Sequence, residues 1–508
     1  MVCLLIAIIF GSSCKNNKNG TWKAPLQDFC ETIHDQDTIS LSESLIGPDT
    51  LKSSGSDIYV LEEGDGSMIA RAWLTGHAEK TIDIQYFIFS VDNVGLIACD
   101  FIVRAADRGV KIRILVDDIM VDADAEDLLI MDAHPNIDIK IYNPGTNIGK
   151  NIWQKTSKLI TDFRGVNQRM HNKTFIVDHK IVITGGRNIA DEYFDYDHEY
   201  NFRDRDVLLM GKICNEVQHS FNMFWENALS VPVDSLIKEK KPAIYDHKIY
   251  DNLHQYACNP DNFWPQVRQR ITQWPKAFKA MEQSGAIVRV DSVYFVSDDP
   301  GKNKETKSLS GGGKSTDALI KLIKNAKYTI DIQSPYLVTT PLSRNLFKTA
   351  INRGVKLRIL TNSLASTDNL EAFSGYQRDR KKLLATGADI YEFRPDAACR
   401  YHVMTGALQK KMNYTPTFGL HSKTMVIDGQ ITVIGTFNLD PRSANLNTEC
   451  ITVIHSKDIS RLVMKGIEEE FLPENAWRTT VGWNPDEKVD IKKRAKTMMR
   501  KVIPKSIL

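Results

Sequence analysis

Three short stretches of this 508-residue chain occur twice, in the same order and about 250 residues apart. Ala78–Gln85 (AEKTIDIQ) returns as Ala326–Gln333 (AKYTIDIQ), and Arg108–Leu115 (RGVKIRIL) as Arg353–Leu360 (RGVKLRIL). His171–Asp178 (HNKTFIVD) returns as His421–Asp428 (HSKTMVID). Landmarks repeated in order at a nearly constant offset mean that one unit has been duplicated, so any fold must be built twice. The length agrees, because a chain of 508 residues exceeds what one hydrophobic core serves and divides into domains.

Each unit reads as α/β. Helical spacing around 68–73 leads to a strand at 81–88. A helix near 96–106 follows, turns at Gly109, and gives a strand at 111–116. The second unit repeats this at 318–323, 329–332, 346–351 and 356–361. Alternating strands and helices predict, in each unit, a mixed or parallel β-sheet with helices on both faces. The expected division is 1–22, a signal-like segment; 55–275, the first domain with its connection; 276–480, the second; and 481–508, a basic tail. The aromatic- and proline-containing connection, about 229–274, is expected to pack across the boundary between the units.

Composition narrows the function. With 25% charged residues, 42% hydrophobic residues and net charge +2, the chain is neither disordered nor a polytopic membrane protein. It lacks the basic excess of a nucleic-acid-coating protein, so nucleic acid is not the expected partner. The eight cysteines form no C-x-x-C pair, which indicates neither a zinc site nor a disulfide framework. Residues 2–10 are apolar but too short to span a bilayer. They suit the h-region of a signal peptide, and small residues lead on to Cys14. This resembles a bacterial lipoprotein signal, which implies lipidation at Cys14, membrane association and a periplasmic location.

Within the third repeat each unit carries H-x-K-x4-D-x6-G-[GT]-x-N. The copies are His171, Lys173, Asp178, Gly185, Gly186, Asn188 and His421, Lys423, Asp428, Gly435, Thr436, Asn438. In an extended strand, residues i and i+2 share a face, so each His and Lys point together. Gly186 and Thr436 are small residues at a strand end, where backbone can approach a ligand. Lysine and amide groups can hold non-bridging phosphate oxygens, and imidazole can act as nucleophile or proton carrier. Two facing copies would place one histidine on each side of a phosphodiester, as in-line displacement requires.

These motifs resemble those of the phospholipase D superfamily, whose members carry two such HKD motifs in one bilobal chain. More narrowly, the chain is similar to bacterial cardiolipin synthase C-like proteins. The matching stretches are Arg169–Thr174, Gly185–Asp195 and Gly435–Glu449, and the closing Val502–Leu508 is also similar. The likeness covers about residues 55–508. It implies two tandem phospholipase D-like domains, each a mixed β-sheet flanked by helices and related by a pseudo-twofold, and a phosphatidyltransferase that makes cardiolipin through a phosphohistidine intermediate. A phosphodiesterase acting on phospholipid or nucleic acid is the alternative.

Carried over by motif, His171 is the nucleophile and His421 the acid/base, with Lys173, Lys423, Asp178 and Asp428 completing the catalytic set. The near-equivalence of the copies leaves the order of the histidines open. Asn188, Asn438, Gly186 and Thr436 would bind substrate. Each histidine needs a carboxylate to orient it. Glu449 is expected for His421 and Asp204 for His171, with Asp206 as the alternative. Asp178 and Asp428 could instead brace strands. No metal or other cofactor is implied, because the lysines carry the cationic charge. The expected partners are phospholipids and a membrane surface, with no obligate protein partner.

Three further signals carry less. Gly311–Ser315 lacks the first glycine of a P-loop, Ser308 standing in its place, and reads as a mobile loop within reach of a headgroup. The basic stretch 491–505 has apolar residues at helical spacing, and suits either an anionic membrane or docking on its own domain. The aromatic clusters 86–89 and 221–225 are expected to be core rather than an acyl-chain groove.

Overall fold

The computed structural model describes residue 41 and residues 55–120, 125–145, 163–236, 247–259, 261–262, 265–303, 309–403 and 416–508. Segment 1–22, with Cys14, lies outside the described residues.

The first unit contributes β1 (Ser56–Leu61), β2 (Thr81–Tyr86), β3 (Lys111–Asp117), β4 (Ile137–Tyr142), β5 (Thr174–Val177), β6 (Ile181–Gly185), β7 (Tyr200–Arg203), β8 (Asp206–Gly211), β9 (Ser230–Pro232) and β10 (Val288–Val290). The second contributes β11 (Val293–Ser297), β12 (Thr329–Gln333), β13 (Lys356–Asn362), β14 (Asp389–Phe393), β15 (Thr417–Leu420), β16 (Thr424–Ile427), β17 (Ile431–Gly435), β18 (Cys450–His455) and β19 (Ala476–Thr479). A nine-stranded sheet runs β10-β1-β8-β6-β5-β2-β3-β4-β9, and an eight-stranded sheet runs β11-β18-β17-β16-β12-β13-β14-β19.

Both are mixed as expected. β2, β3 and β4 run parallel, as do β12, β13 and β14, while β5–β6 and β16–β17 are antiparallel hairpins. The duplication extends to register: Ile82 pairs with Val177, and Ile330 with Ile427. It extends to polar pairs too, since Arg113 binds Asp83 and Arg358 binds Asp331, each at 2.6 Å at closest approach.

Two differences from expectation concern the boundary. The chain passes between sheets at Asp291 and Ser292, between β10 and β11, and so beyond residue 276. Among its described residues the connection packs mainly on the first unit, with Leu229 lying against the cluster shared by both. Its Tyr250, Val267, Trp274 and Phe278 join the core of the first unit, where Trp274 meets Trp73 at 5.2 Å. An apolar patch on a neighbouring helix drew these aromatics, a contact that composition does not reveal.

What unites the halves is a central core. Leu115, Ile176 and Val207 of the first sheet, with Phe221 and Phe224 from the helix Ile213–Trp225, pack in one cluster with Leu360, Val426 and Ile454 of the second and Val463 from the helix Lys457–Glu470. At the seam two strands cross over, β7 pairing in parallel with β15 so that Arg203 stands opposite Leu420. A parallel bridge joins Met170 to Thr448. Cys258, read in sequence as one of several scattered thiols, is disulfide-bonded.

Candidate active site

The two HKD histidines stand just before β5 and β16, where each strand emerges at the seam. Backbone bonds between units fix them there: His171 N–H donates to Thr448 O at 3.0 Å, and His421 N–H to Arg203 O at 2.8 Å. Both rings are buried, at 6% and 5% exposure.

The seam decides which carboxylate each ring meets. His171 Nδ1–H donates to Glu449 Oε2 at 2.8 Å, and His421 Nδ1–H donates to Asp204 Oδ2 at 2.5 Å. The expected residues are therefore present, but the expected pairing is reversed. Each carboxylate follows a segment that bonds to the opposite unit: Asp204 follows β7, which pairs with β15, and Glu449 follows Thr448, which bridges Met170. Asp206, the alternative partner of His171, is engaged elsewhere. It binds Arg71 at 3.0 Å and Ser67 at 2.8 Å.

Holding Nδ1–H on a carboxylate leaves Nε2 as the nitrogen for chemistry and fixes the tautomer. Aromatic rings limit the imidazoles further. Phe87 lies 5.0 Å from His171, and Tyr193 and Phe202 lie 5.1 and 4.7 Å from His421. These three aromatics, absent from the expected set, carried no motif spacing that could have singled them out.

Lys173 and Lys423 are buried beside the rings. Lys173 Nζ donates to His171 O at 2.9 Å, and Lys423 Nζ lies 3.0 Å from both nitrogens of His421. Burial, followed by repulsion from Lys423, lowers Lys173 to about 7. Burial lowers Lys423 to about 8, against the pull of Asp204 and Glu449. Burial also holds the imidazoles neutral. His171 falls to about 4 although Glu449 opposes the shift, and His421 to about 3, with Lys423 adding to the effect. Burial alone would raise both carboxyl groups, yet attraction to their histidines wins and keeps Glu449 and Asp204 below the usual carboxylate range. The result is one buried site in which two lysines balance two ionised carboxylates beside two neutral imidazoles, so that a bound anion favours the charged form of both lysines.

Other expected residues separate into groups. Asn438 is buried, and its Oδ1, an acceptor with no hydrogen-bond partner among the described residues, does not complement a phosphate oxygen, so a phosphate-binding role falls to its Nδ2–H. Asn188 instead accepts from Ile88 N–H at 3.1 Å and bonds the Tyr193 hydroxyl, so its amide is largely used in the fold.

Gly186 and Thr436 serve the carboxylates rather than a ligand. A Cβ on Gly186 would fall 2.1 Å from Asp204 Oδ1, and Thr436 Oγ1–H donates to Glu449 Oε2 at 2.5 Å. The motif aspartates are not at the site either. Asp178 accepts from the backbone N–H groups of Glu79, Lys80 and Thr81 at 2.7–2.8 Å, and Asp428 from those of Lys327, Tyr328 and Thr329. Each sits at the far end of its strand with positive φ, at 51° and 54°, and clamps the start of β2 or β12. Their place in the motif reflects strand bracing.

The glycine-rich loop is pinned rather than free: Gly312 N–H donates to Asn445 Oδ1 at 3.1 Å, and Ser315 is bonded to Asp298. No helix among the described residues is long and apolar enough to cross a membrane.

A family model described as cardiolipin synthase, PLD-like domain matches residues 74–225 and 319–471, one match in each unit. Cardiolipin synthase C of Escherichia coli K12 is 31% identical over 419 residues, covering 80% of this chain and 83% of that protein. An uncharacterized protein of Helicobacter pylori strain 26695 is 33% identical over 426 residues, covering 84% and 81%. Among solved structures, phosphatidylserine synthase of Haemophilus influenzae Rd KW20 shares the fold with a TM-score of 0.57 at 15% identity, covering 91% of this chain and 96% of that one.

Proposed function

For a chain that belongs to the cardiolipin synthase, phospholipase D-like family, we propose the activity of a phosphatidyltransferase that makes cardiolipin through a covalent phosphohistidine. The observation that carries this reading is the pair of buried imidazoles, each with Nδ1–H held by a carboxylate from the opposite half and a lysine alongside. That arrangement supports displacement at phosphorus with one base on each side.

His171 Nε2 attacks the phosphorus of a phospholipid, and the bond to the headgroup oxygen breaks. His421, as imidazolium, gives that oxygen its proton. The lipid hydroxyl of a second phospholipid then enters, His421 takes its proton, and the new P–O bond forms as the P–Nε2 bond breaks. Lys173 and Lys423 neutralise the non-bridging oxygens, and Asn438 donates to the same group. Bound phosphate also offsets the burial that otherwise keeps His421 neutral, and Asp204 stabilises the imidazolium. Because one P–O bond is exchanged for another, the supply of lipid hydroxyl governs transfer against hydrolysis.

Work at a membrane surface is part of the proposal. The C-terminal helix Ile491–Arg500 docks through its polar face: Lys493 donates to Ala365 O at 3.2 Å and Arg500 pairs with Glu371 at 2.5 Å. Its opposite stripe is open to solvent, with Ile491 77%, Met498 67%, Met499 66% and Val502 83% exposed. Apolar residues flanked by lysines suit the interface of an anionic bilayer. The docked loop leads to Asp368, whose charge is felt at Lys423, so the helix stands near the reaction centre.

The test is lipid analysis after incubation with labelled phosphatidylglycerol, with and without phosphatidylethanolamine. Cardiolipin from the wild type and none from His171→Ala is expected, with turnover unaffected by EDTA. Phosphatidic acid as the sole product would mean a hydrolase, and cleavage of DNA alone would overturn the lipid reading.

A further inference from the structure

A cavity of about 360 Å³ lies beneath the first unit's helical layer. Its floor is the face of the sheet that carries Ile114, Val116 and Ile139. Leu96, on the helix Asn93–Asp107, and Leu253, on the helix His247–Ala257, close it from above. Protein interiors hold few voids larger than a water molecule, and this volume falls instead in the roughly 300–1,000 Å³ range of small-ligand sites. The lining is dominated by aliphatic and aromatic side chains with Asp127 as its one carboxylate, and among the described residues no lysine or arginine contributes to it. A headgroup phosphate finds no cation there.

The cavity is tied to the reaction centre by four consecutive residues. Phe87 lies against the His171 ring, and Ile88 N–H binds Asn188 of the first HKD motif. Phe89 bridges Ile189 and lines the cavity, and Ser90 N–H donates to Ile189 O at 2.9 Å. The cavity wall thus begins two residues beyond the ring that packs on the nucleophilic histidine. A phospholipid whose phosphorus sits at His171 would run its acyl chains along this segment to reach the cavity.

We propose that this cavity receives a fatty-acyl chain of the phospholipid whose phosphate is held at His171. The assignment rests on the lipid reading above. It changes what the aromatic cluster at 86–89 means: Tyr86 is core as expected, at 1% exposure and bonded to Arg71, whereas Phe87 and Phe89 link the reactive centre to the cavity.

The test narrows the cavity with Leu96→Trp and, separately, Leu253→Trp, each checked for folding by circular dichroism. kcat/KM is measured on dioleoyl and on dihexanoyl phosphatidylglycerol in mixed micelles. The long-chain substrate is expected to lose at least about tenfold more than the short-chain one. Equal losses on both substrates, or none on either in a folded variant, would overturn the assignment. Binding of a fluorescent long-chain fatty acid provides an arm independent of turnover. Weaker binding in both variants supports an acyl site, and wild-type binding in both contradicts it. If the wild type turns over no phospholipid, the function reading fails and this arm still decides the cavity.

Discussion

Glu449, carried by the second half of the chain, holds Nδ1–H of His171, carried by the first, at 2.8 Å. Asp204 and His421 make the reciprocal contact at 2.5 Å. Neither half therefore contains a complete histidine–carboxylate pair, and both pairs exist only where the units meet.

Removing either charge while keeping the shape tests this crossed bracing. Glu449→Gln and Asp204→Asn are each expected to lower kcat by about 10²- to 10⁴-fold with little change in KM, because tautomer control and imidazolium stabilisation act on the chemical step. A loss confined to thermal stability, with kcat retained in the folded fraction, would count against the assignment.

The motif aspartates should behave in the opposite way. Asp178 accepts three backbone N–H bonds at the start of β2 and touches neither histidine. Asp178→Ala is expected to cost about 2–4 kcal/mol of stability by denaturant titration, since three orphaned donors and an unfavourable positive φ fall on alanine. kcat/KM per folded molecule should stay within a few-fold, and a catalytic collapse without unfolding would restore Asp178 to the site.

The pKa shifts set a pH window for kcat/KM, which reports the free enzyme. On the acid side the nucleophile must be neutral. His171 is lowered to about 4, so activity should fall only as pH drops toward that value. On the alkaline side the lysines must be charged to hold an anion, and His421, lowered to about 3 in the free enzyme, must gain its proton in the substrate complex. Lys173, lowered to about 7, and Lys423, to about 8, should lose protons first, and kcat/KM should decline as pH rises through this range. Because the two lysines are coupled, the limb belongs to the pair. Saturating substrate should shift that limb upward in kcat, since a bound phosphodiester favours both cations. An alkaline limb with the same midpoint in kcat and kcat/KM would contradict this.

The C-terminal helix makes a separable prediction. Met498→Glu combined with Met499→Glu should weaken partition onto phosphatidylglycerol vesicles by at least about tenfold, and added salt should weaken wild-type binding as well. Both side chains are about two-thirds exposed, on the stripe turned away from the contacts to Ala365 and Glu371, so turnover of dispersed short-chain substrate should persist. Unchanged sedimentation with vesicles would assign the stripe to another role.

Much of this architecture was legible because the chain states it twice. The paired TIDIQ and RGVK segments indicated parallel strands in each unit, and those strands occur in matching register. Both HKD histidines, both lysines and both orienting carboxylates were identifiable from motif residues. The crossing of the carboxylates was not. Glu449 and His171 lie 278 residues apart, and Asp204 and His421 lie 217 apart. Their pairing depends on β7 leaving its own sheet to join β15, which no local pattern encodes. The same reason hid the roles of Gly186 and Thr436. Small residues at a strand end suggest room for a ligand, but here the room belongs to Asp204 and the hydroxyl to Glu449.

The most direct measurement is of the covalent intermediate. Wild-type enzyme mixed with phospholipid radiolabelled at phosphorus, quenched in alkali during turnover and mapped by peptide should carry label on His171, chased off by added lipid alcohol. His171→Ala should carry none. Label found on His421, or no protein-bound label while product accumulates, would contradict the account.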